Sequence, residues 1–261
     1  MLENVVMIGR NIIEENKDQV LPTFAYSVLD NYIAGNIVSD EGSLLIGTNS
    51  GIYVAVGDEQ NDHFSDLLVQ IFMQRKNSNQ RFTLFSPTQA WDDRINELFA
   101  GELRSLQRYS FRFNESDFVR RSISRLASDF QCKQIHEDTL RHSSDFNECY
   151  IITYWGSVER FLEKGFGYCI TQSDITQSFV HASECISIFS STAFAEVDIA
   201  TNDQFRGKGL AQHNAEAFIM ECLQRELTPK WDCDIHNTAS IRLAGKVGFA
   251  NPERYSVFVR K

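Results

Sequence analysis

The chain has 261 residues, 43% apolar and 12% aromatic, with a net charge of −10. That is enough apolar material to fill one large core or two small ones. The opening MLENVVMIGRNIIEEN has no basic region followed by an apolar core, and no apolar run approaches the ~20 residues of a membrane span. The expected compartment is therefore the cytoplasm, with no membrane partner. The acidic balance also disfavours nucleic acid and mildly favours a cationic partner. Six cysteines (Cys132, Cys149, Cys169, Cys185, Cys222, Cys233) lie far apart. No C-x-x-C pair or finger-spaced histidine accompanies them, so reduced buried thiols are expected, with neither metal nor disulfides.

A helical stretch runs to about Asn16, Pro22 breaks it, and a short helix follows over Tyr26 to Tyr32. "SLLIGTNSGIYVAVGD" reads as two strands joined by the turn Thr48-Asn49-Ser50-Gly51. From His63 to Arg75, the apolar residues Phe64, Leu67, Leu68, Ile71 and Phe72 recur at helical spacing. "RFTLFSP" is a strand, Trp91 to Phe99 a helix and "RYSFRFN" a strand, so the first half is an α/β unit without a recognisable chemical motif. An arginine-rich stretch follows, with Arg104, Arg108, Arg112, Arg120, Arg121 and Arg125. It reads either as a solvated face or as a basic rim for an anionic ligand.

The second half begins with "YIITYWGSVERFLEKGFGYCI". It reads as a strand, then a helix over Ser157 to Lys164 stopped by Gly165, then a strand from Phe166. "QSFVHASECISIFS" is a further strand. "FAEVDIAT" alternates, so Val197 and Ile199 face one way and Glu196 and Asp198 the other. It leads into "QFRGKGLAQHNAEAFI". Beyond that loop, Leu210, Ala211, Ala215, Phe218, Ile219 and Cys222 recur at helical spacing until Thr228-Pro229. Gly207 and Gly209 thus lie at a helix N-terminus, where unpaired N–H groups and the helix dipole suit a phosphate. Arg206 and Lys208 reinforce the positive charge.

The loop fails both familiar nucleotide patterns. A Walker loop needs G-x-x-x-x-G-K-[ST], whereas the lysine here lies between the glycines. A dinucleotide fingerprint needs a third glycine where Gln212 stands. What remains is Q-x-x-G-x-G, carried by Gln204, Gly207 and Gly209. After the long helix come the strand "PKWDCDIH", Asn237, the helix "TASIRLAGKVGF" and the last strand "ERYSVFVRK".

This order of elements resembles the GNAT superfamily of acyl-CoA N-acyltransferases, over roughly Cys149 to Lys261. It is most similar to the bacterial subfamily with an extra N-terminal half, which includes zwittermicin A resistance acetyltransferases. The resemblance implies an α+β fold. A mixed, mostly antiparallel sheet would be flanked by helices and preceded by a smaller α/β, GNAT-like half, with domains at 1–130 and 131–261. It implies acetyl-CoA as cosubstrate and no metal. Ile199, Ala200 and Thr201 would offer backbone groups to pantetheine. Gln204, Phe205, Arg206, Gly207, Lys208, Gly209 and Leu210 would cradle the pyrophosphate. Asn237 would contact the pantetheine arm, cap the next helix, or do both.

An amine must lose a proton before it attacks a thioester, so a carboxylate is wanted near the acyl group. Glu196 is the first candidate, with Asp198 beside it and Glu184 on the neighbouring strand as second choice. Many family members carry a tyrosine as general acid in the last helix; Ala244 stands there instead. Ser240, Tyr154 and Tyr168 are the substitutes within reach of sequence reasoning. The expected activity is acetyl transfer to a primary amine of a small cationic acceptor, by direct attack in a ternary complex. A non-catalytic acyl-CoA-binding or sensing protein is the rival reading, and a homodimer stays open.

Overall fold

A computed structural model of the chain describes residues 2–173 and 179–261. The order begins α1 (Leu2–Glu15), α2 (Thr23–Leu29), β1 (Gly35–Asp40), β2 (Ser43–Thr48), β3 (Ile52–Gly57), α3 (Asp62–Asn77), β4 (Thr83–Ser86), α4 (Gln89–Leu98) and β5 (Leu103–Phe113). It continues α5 (Glu115–Arg120), β6 (Phe130–Gln134), α6 (Glu137–Leu140), α7 (Glu148–Trp155), α8 (Val158–Lys164), β7 (Gly167–Ser173), β8 (Phe179–Ser190) and β9 (Phe194–Thr201). A 3₁₀ turn precedes α9 (Leu210–Gln224), β10 (Thr228–Asp234), α10 (Thr238–Lys246) and β11 (Phe249–Arg260). The fold is mixed α+β, and most strand pairings are antiparallel.

Two compact units emerge, Met1–Ser110 with Glu253–Lys261, and Phe111–Pro252. A division at residue 130 therefore differs from the observed one. The end of β11 pairs with β4 and completes the first unit, an arrangement that linear order cannot display.

In the first unit the strand order is β1-β2-β3-β4-β11-β5. The hairpin β2–β3 forms as its turn residues dictate, with Ile46 opposite Val54 and Leu45 opposite Ala55. Strand β1, which has few large apolar residues and is largely solvent-accessible, escapes the sequence reading. Side-chain caps start α3 and α4: Asn61 accepts the Phe64 N–H and Thr88 the Trp91 N–H. Their apolar faces close an aromatic core of Tyr53, Phe64, Phe72, Phe82, Trp91 and Phe99.

In the second unit the order is β10-β9-β8-β7-β6. Strands β6 to β9 are antiparallel and β10 runs parallel to β9. Helix α9 packs against β7, β8 and β9, and α7 against β8. Side-chain partners identify the faces. Tyr168 reaches Glu221 of α9, whereas Asp198 meets Tyr150 of α7. Phe166 and Phe218 stack at 4.7 Å beneath α9.

The segment expected to begin as a strand at Tyr150 is instead α7. Asn147 accepts the Tyr150 N–H at its start, and Gly156, at φ 86°, ends it. The run YIITYW is too short and uniformly apolar for periodicity to decide, so caps and packing of Ile151 and Trp155 prevail. The expected strand over residues 177–190 is β8 from Phe179; Gln177 and Ser178 lie outside the described residues, as does Met1. Four cysteines are buried as expected, but Cys132 is half-buried and Cys149 exposed. Burial pushes the Cys169 thiol up to about 12 and holds those of Cys185 and Cys222 well above their usual value. No helix among the described residues is long and apolar enough to cross a membrane.

Phe218 is fully buried in the sheet–helix layer. Replacing it with alanine should cost about 3–5 kcal/mol through lost burial and the cavity left behind. Urea unfolding followed by circular dichroism would show this as a lowered midpoint.

Candidate active site

The site is organised by the end of the β9–β10 pairing. Their shared register comprises Thr228 with Phe194, Pro229 with Ala195 and Lys230 with Glu196. Strand β9 runs on to Thr201 and β10 to Asp234 without further pairing between them. The edge of β9 from Val197 onward is therefore where an extended ligand would find backbone N–H and C=O groups. Ile199, Ala200 and Thr201 lie there and are half-buried. Across β8, Ser183 donates to the Ala200 carbonyl at 3.1 Å, and its Oγ lies 3.0 Å from Thr201 Oγ1, which steadies the opposite edge.

The glycine loop is anchored at two points and open between them. Phe205 and Leu210 turn inward onto Phe130, Ile170 and Ala182, so these two residues hold the loop by their side chains. Gly207 and Gly209 have φ of 79° and 80°, and a Cβ on either would meet nothing within 4 Å. Glycine is thus required by backbone conformation, and it leaves the approach unobstructed. Helix α9 begins without a side-chain cap and without an acidic residue in its first turn. The His213 N–H bonds Gly209 O at 3.2 Å, so the N–H groups of the preceding turn lie at an uncapped helix end.

Around the loop, Gln204 is exposed and its backbone N–H donates to the Asn202 side chain. Arg206 pairs with Asp203 at 2.7 Å on the surface. Lys208 Nζ stands 5.1 Å from the Phe205 ring centre and 5.6 Å from that of Phe130. On this flank a cavity of about 340 Å³ is lined by Arg125, Phe130, Lys208, Gly209, Gln212 and His213, among others. Its wall is tied to α9 through Ser124, whose N–H and Oγ–H both donate to buried Glu216. His213 Nδ1 lies 2.9 Å from the Ser124 carbonyl, which fixes that nitrogen as the protonated one.

Asn237 follows β10 and accepts the Ser240 N–H at 3.0 Å, so it caps α10. The Ser240 hydroxyl accepts the indole N–H of Trp231. Ala244 is fully buried, and Arg121 donates to the carbonyls of Gly245 and Lys246 at the end of α10. One of the six interdomain arginines is thereby a helix-terminal cap and another, Arg125, a cavity wall.

The three candidate carboxylates share the sheet face beneath α7. Asp198 pairs with Ile186 and Ala200 with Glu184, while an extra residue in β8, Ile188, brings Phe189 opposite Glu196. A second irregularity in β8 leaves Ala182 between the residues paired with Ile170 and Thr171. It allows His181 and Glu184, which a regular strand would point to opposite faces, to meet at 2.9 Å. Glu184 is only 2% exposed and also accepts from Ser143 Oγ at 2.9 Å. Both of its oxygens are thus engaged, one by His181 within β8 and the other by Ser143 in the segment before α7. Glu196 and Asp198 are half-buried and nearer the parted strands.

Sequence reasoning missed Tyr150, whose phenol O–H donates to Asp198 Oδ2. Burial, and then the charge of Asp198, hold this phenol far above its usual value, so it stays protonated. The detectable signal was Asn147 at cap spacing from Tyr150, with Phe146, Tyr150 and Tyr154 four residues apart. Tyr154 joins the same aromatic row, whereas Tyr168 donates to Glu221 on the opposite face.

With these parts in place, comparison with known proteins is unambiguous. The GNAT acetyltransferase family model matches residues 14–258, and the chain belongs to that family. It is 37% identical over 245 residues to a protein of Bacillus subtilis (strain 168) named "Uncharacterized N-acetyltransferase YdfB", covering 92% of this chain and 91% of that one. The fold is similar to a GCN5-related N-acetyltransferase-like protein from Streptococcus suis 89/1591, with TM-score 0.65, 24% identity and coverage of 87% and 88%. It is also similar to a tandem GNAT protein from the clavulanic acid biosynthesis pathway, with TM-score 0.66, 12% identity and coverage of 99% and 94%. The protein is therefore an N-acetyltransferase of the GNAT type, a family that uses acetyl-CoA.

Removing Glu184 would strand Ser143 and His181 in the interior. Glu184→Ala should destabilise the protein by about 3 kcal/mol, as expected when one member of a buried polar network is lost. Glu184→Gln should lose less. Denaturant titration of the two variants against wild type measures both.

Proposed function

We propose that the protein transfers an acetyl group from acetyl-CoA to a primary amine of a small cationic acceptor, by direct attack in a ternary complex. The observation that carries the reading is the conjunction of parted β9–β10 edges, the uncapped α9 N-terminus and half-buried carboxylates on one strand. Pantetheine lies along Ile199, Ala200 and Thr201, making strand-like hydrogen bonds where β10 has withdrawn. The pyrophosphate meets the amides of residues 204–210, with Gly207 and Gly209 giving close approach. Arg206 and Lys208 add positive charge at the rim. Asn237 spends its side-chain oxygen on the α10 cap and offers its amide to the pantetheine arm.

The acceptor arrives as an ammonium ion, drawn by the acidic face below α7. Glu196 takes one proton, and the neutral nitrogen attacks the thioester carbonyl. The developing oxyanion is stabilised by a backbone N–H of the β9 edge. The C–S bond then breaks, the sulfur leaves with the second proton from nitrogen, and Glu196 returns its proton to water. The net products are the amide, CoA thiol and one proton. No tyrosine is required at position 244, because the proton lost by nitrogen balances the one gained by sulfur.

Titrating acetyl-CoA into the protein calorimetrically should give micromolar binding that Gly209→Glu abolishes by placing bulk and negative charge in the clamp. Retained binding in that variant would remove the loop from the cofactor site. Glu196→Gln should bind acetyl-CoA normally while amine acetylation falls about 100-fold or more, the usual scale of general-base catalysis. Undiminished turnover would exclude Glu196 as the base.

A further inference from the structure

Tyr150 stands within a connected row of contacts. His181 meets Glu184 at 2.9 Å, and Ser143 Oγ donates to Glu184 at 2.9 Å while accepting the Phe146 N–H at 2.8 Å. The Phe146 ring packs against Tyr150 with centroids 5.1 Å apart, Tyr150 against Tyr154 at 4.8 Å, and Tyr154 against Phe189 at 5.8 Å. The backbone of Tyr150 is fixed by the Asn147 cap. With two neighbouring rings packed against it and two side-chain torsions to set, the phenol has little freedom. It is aimed across from α7 to Asp198 on β9.

We propose that Tyr150 is a positioning residue for acetyl transfer, holding the Asp198 carboxylate as an oriented anion beside Glu196. The proposal rests on the reading that an amine loses its proton to Glu196. Hydrogen bonding to a carboxylate favours its ionised form, so Asp198 keeps its charge while the acceptor enters. Residues two apart on a strand are separated by about 7 Å, close enough for this charge to orient an ammonium bound near Glu196. Glu196 remains the carboxylate that takes up the proton. The titratable and polar groups sharing this face include Tyr150, Tyr154, Glu184, Glu196 and His181, with Lys230 of β10 in register beside Glu196 and its ammonium over the Phe194 ring; no covalent step is assigned to the phenol.

The test is Tyr150→Phe, which keeps the ring contacts and removes one hydroxyl. The Asp198 carboxyl ¹³C signal, assigned by its disappearance in Asp198→Asn, should titrate at higher pH in Tyr150→Phe than in wild type. An unchanged midpoint overturns the proposal. In parallel, release of CoA thiol is followed with acetyl-CoA and 1,4-diaminobutane across pH. The variant should keep its KM for acetyl-CoA, lose about tenfold or more in kcat/KM for the amine, and shift the acid limb of that profile to higher pH. A uniform loss at every pH, with no shift of the limb, assigns Tyr150 a merely structural role and overturns the proposal. In an Asp198→Asn background, Tyr150→Phe should add little further loss, and full additivity counts against the coupling. Wild type that binds acetyl-CoA but leaves diaminobutane untouched argues against the cationic-amine reading, while the carboxyl titration still decides the role of Tyr150.

Discussion

The parting of two parallel strands governs this site. Continuous pairing of β9 with β10 would satisfy every backbone group along the edge and leave nothing for an extended ligand to bind. Register with β10 ends after Lys230 and Glu196, and the five remaining residues of β9 pair on one side only, with β8. A half-buried strand edge that its own sheet leaves unpaired is available to an extended partner. In the proposed reading that partner is the pantetheine arm, and the cosubstrate finishes the sheet. The same divergence delivers the chain to the glycine loop on one side and to Asn237 on the other. One geometric event therefore places the open edge, the glycine loop and the neighbouring carboxylates.

A second level of organisation comes from irregularities in β8. The extra residue at Ala182 turns His181 toward Glu184, and the one at Ile188 turns Phe189 toward the aromatic row of α7. Strand alternation alone would have scattered these side chains over both faces of the sheet. Bulges convert alternation into clustering, and the cluster supports a helix whose tyrosine reaches the site. The buried Glu184 is best understood in this light. Its carboxylate is satisfied by Ser143 and His181, so it acts as a fastening for the chain ahead of α7.

The motif-bearing parts were legible in the sequence because their chemistry is local. Gly207 and Gly209 announce a left-handed backbone at a helix start, Val197 and Ile199 announce a strand, and Asn237 announces a cap, all within a few residues. The structure places each of these as local rules require, and the resemblance built on their order is matched by family membership. Tyr150 was illegible for a different reason. YIITYW suits a strand as well as a helix by composition, and the decision falls to Asn147, Gly156 and tertiary packing of Trp155. Reading that run as a strand hid the four-residue spacing of its aromatics. Bulges in β8 leave no compositional trace, so neither the meeting of His181 with Glu184 nor the common face of the carboxylates with Phe189 followed from the sequence alone. The fully buried Ala244 was visible, yet its meaning depended on what else the face contained.

The last strand carries a consequence for biosynthesis. Residues 253–261 complete the sheet of the first compact unit by lying between β4 and β5, although everything from Phe111 to Pro252 builds the second. On a ribosome the first unit thus stays incomplete until residues 253–261 are made, and the second unit has all its own residues available sooner. Vectorial synthesis would ordinarily favour the first-made half. Here the polypeptide path reverses that order, and the second unit can fold while its companion still lacks the strand between β4 and β5.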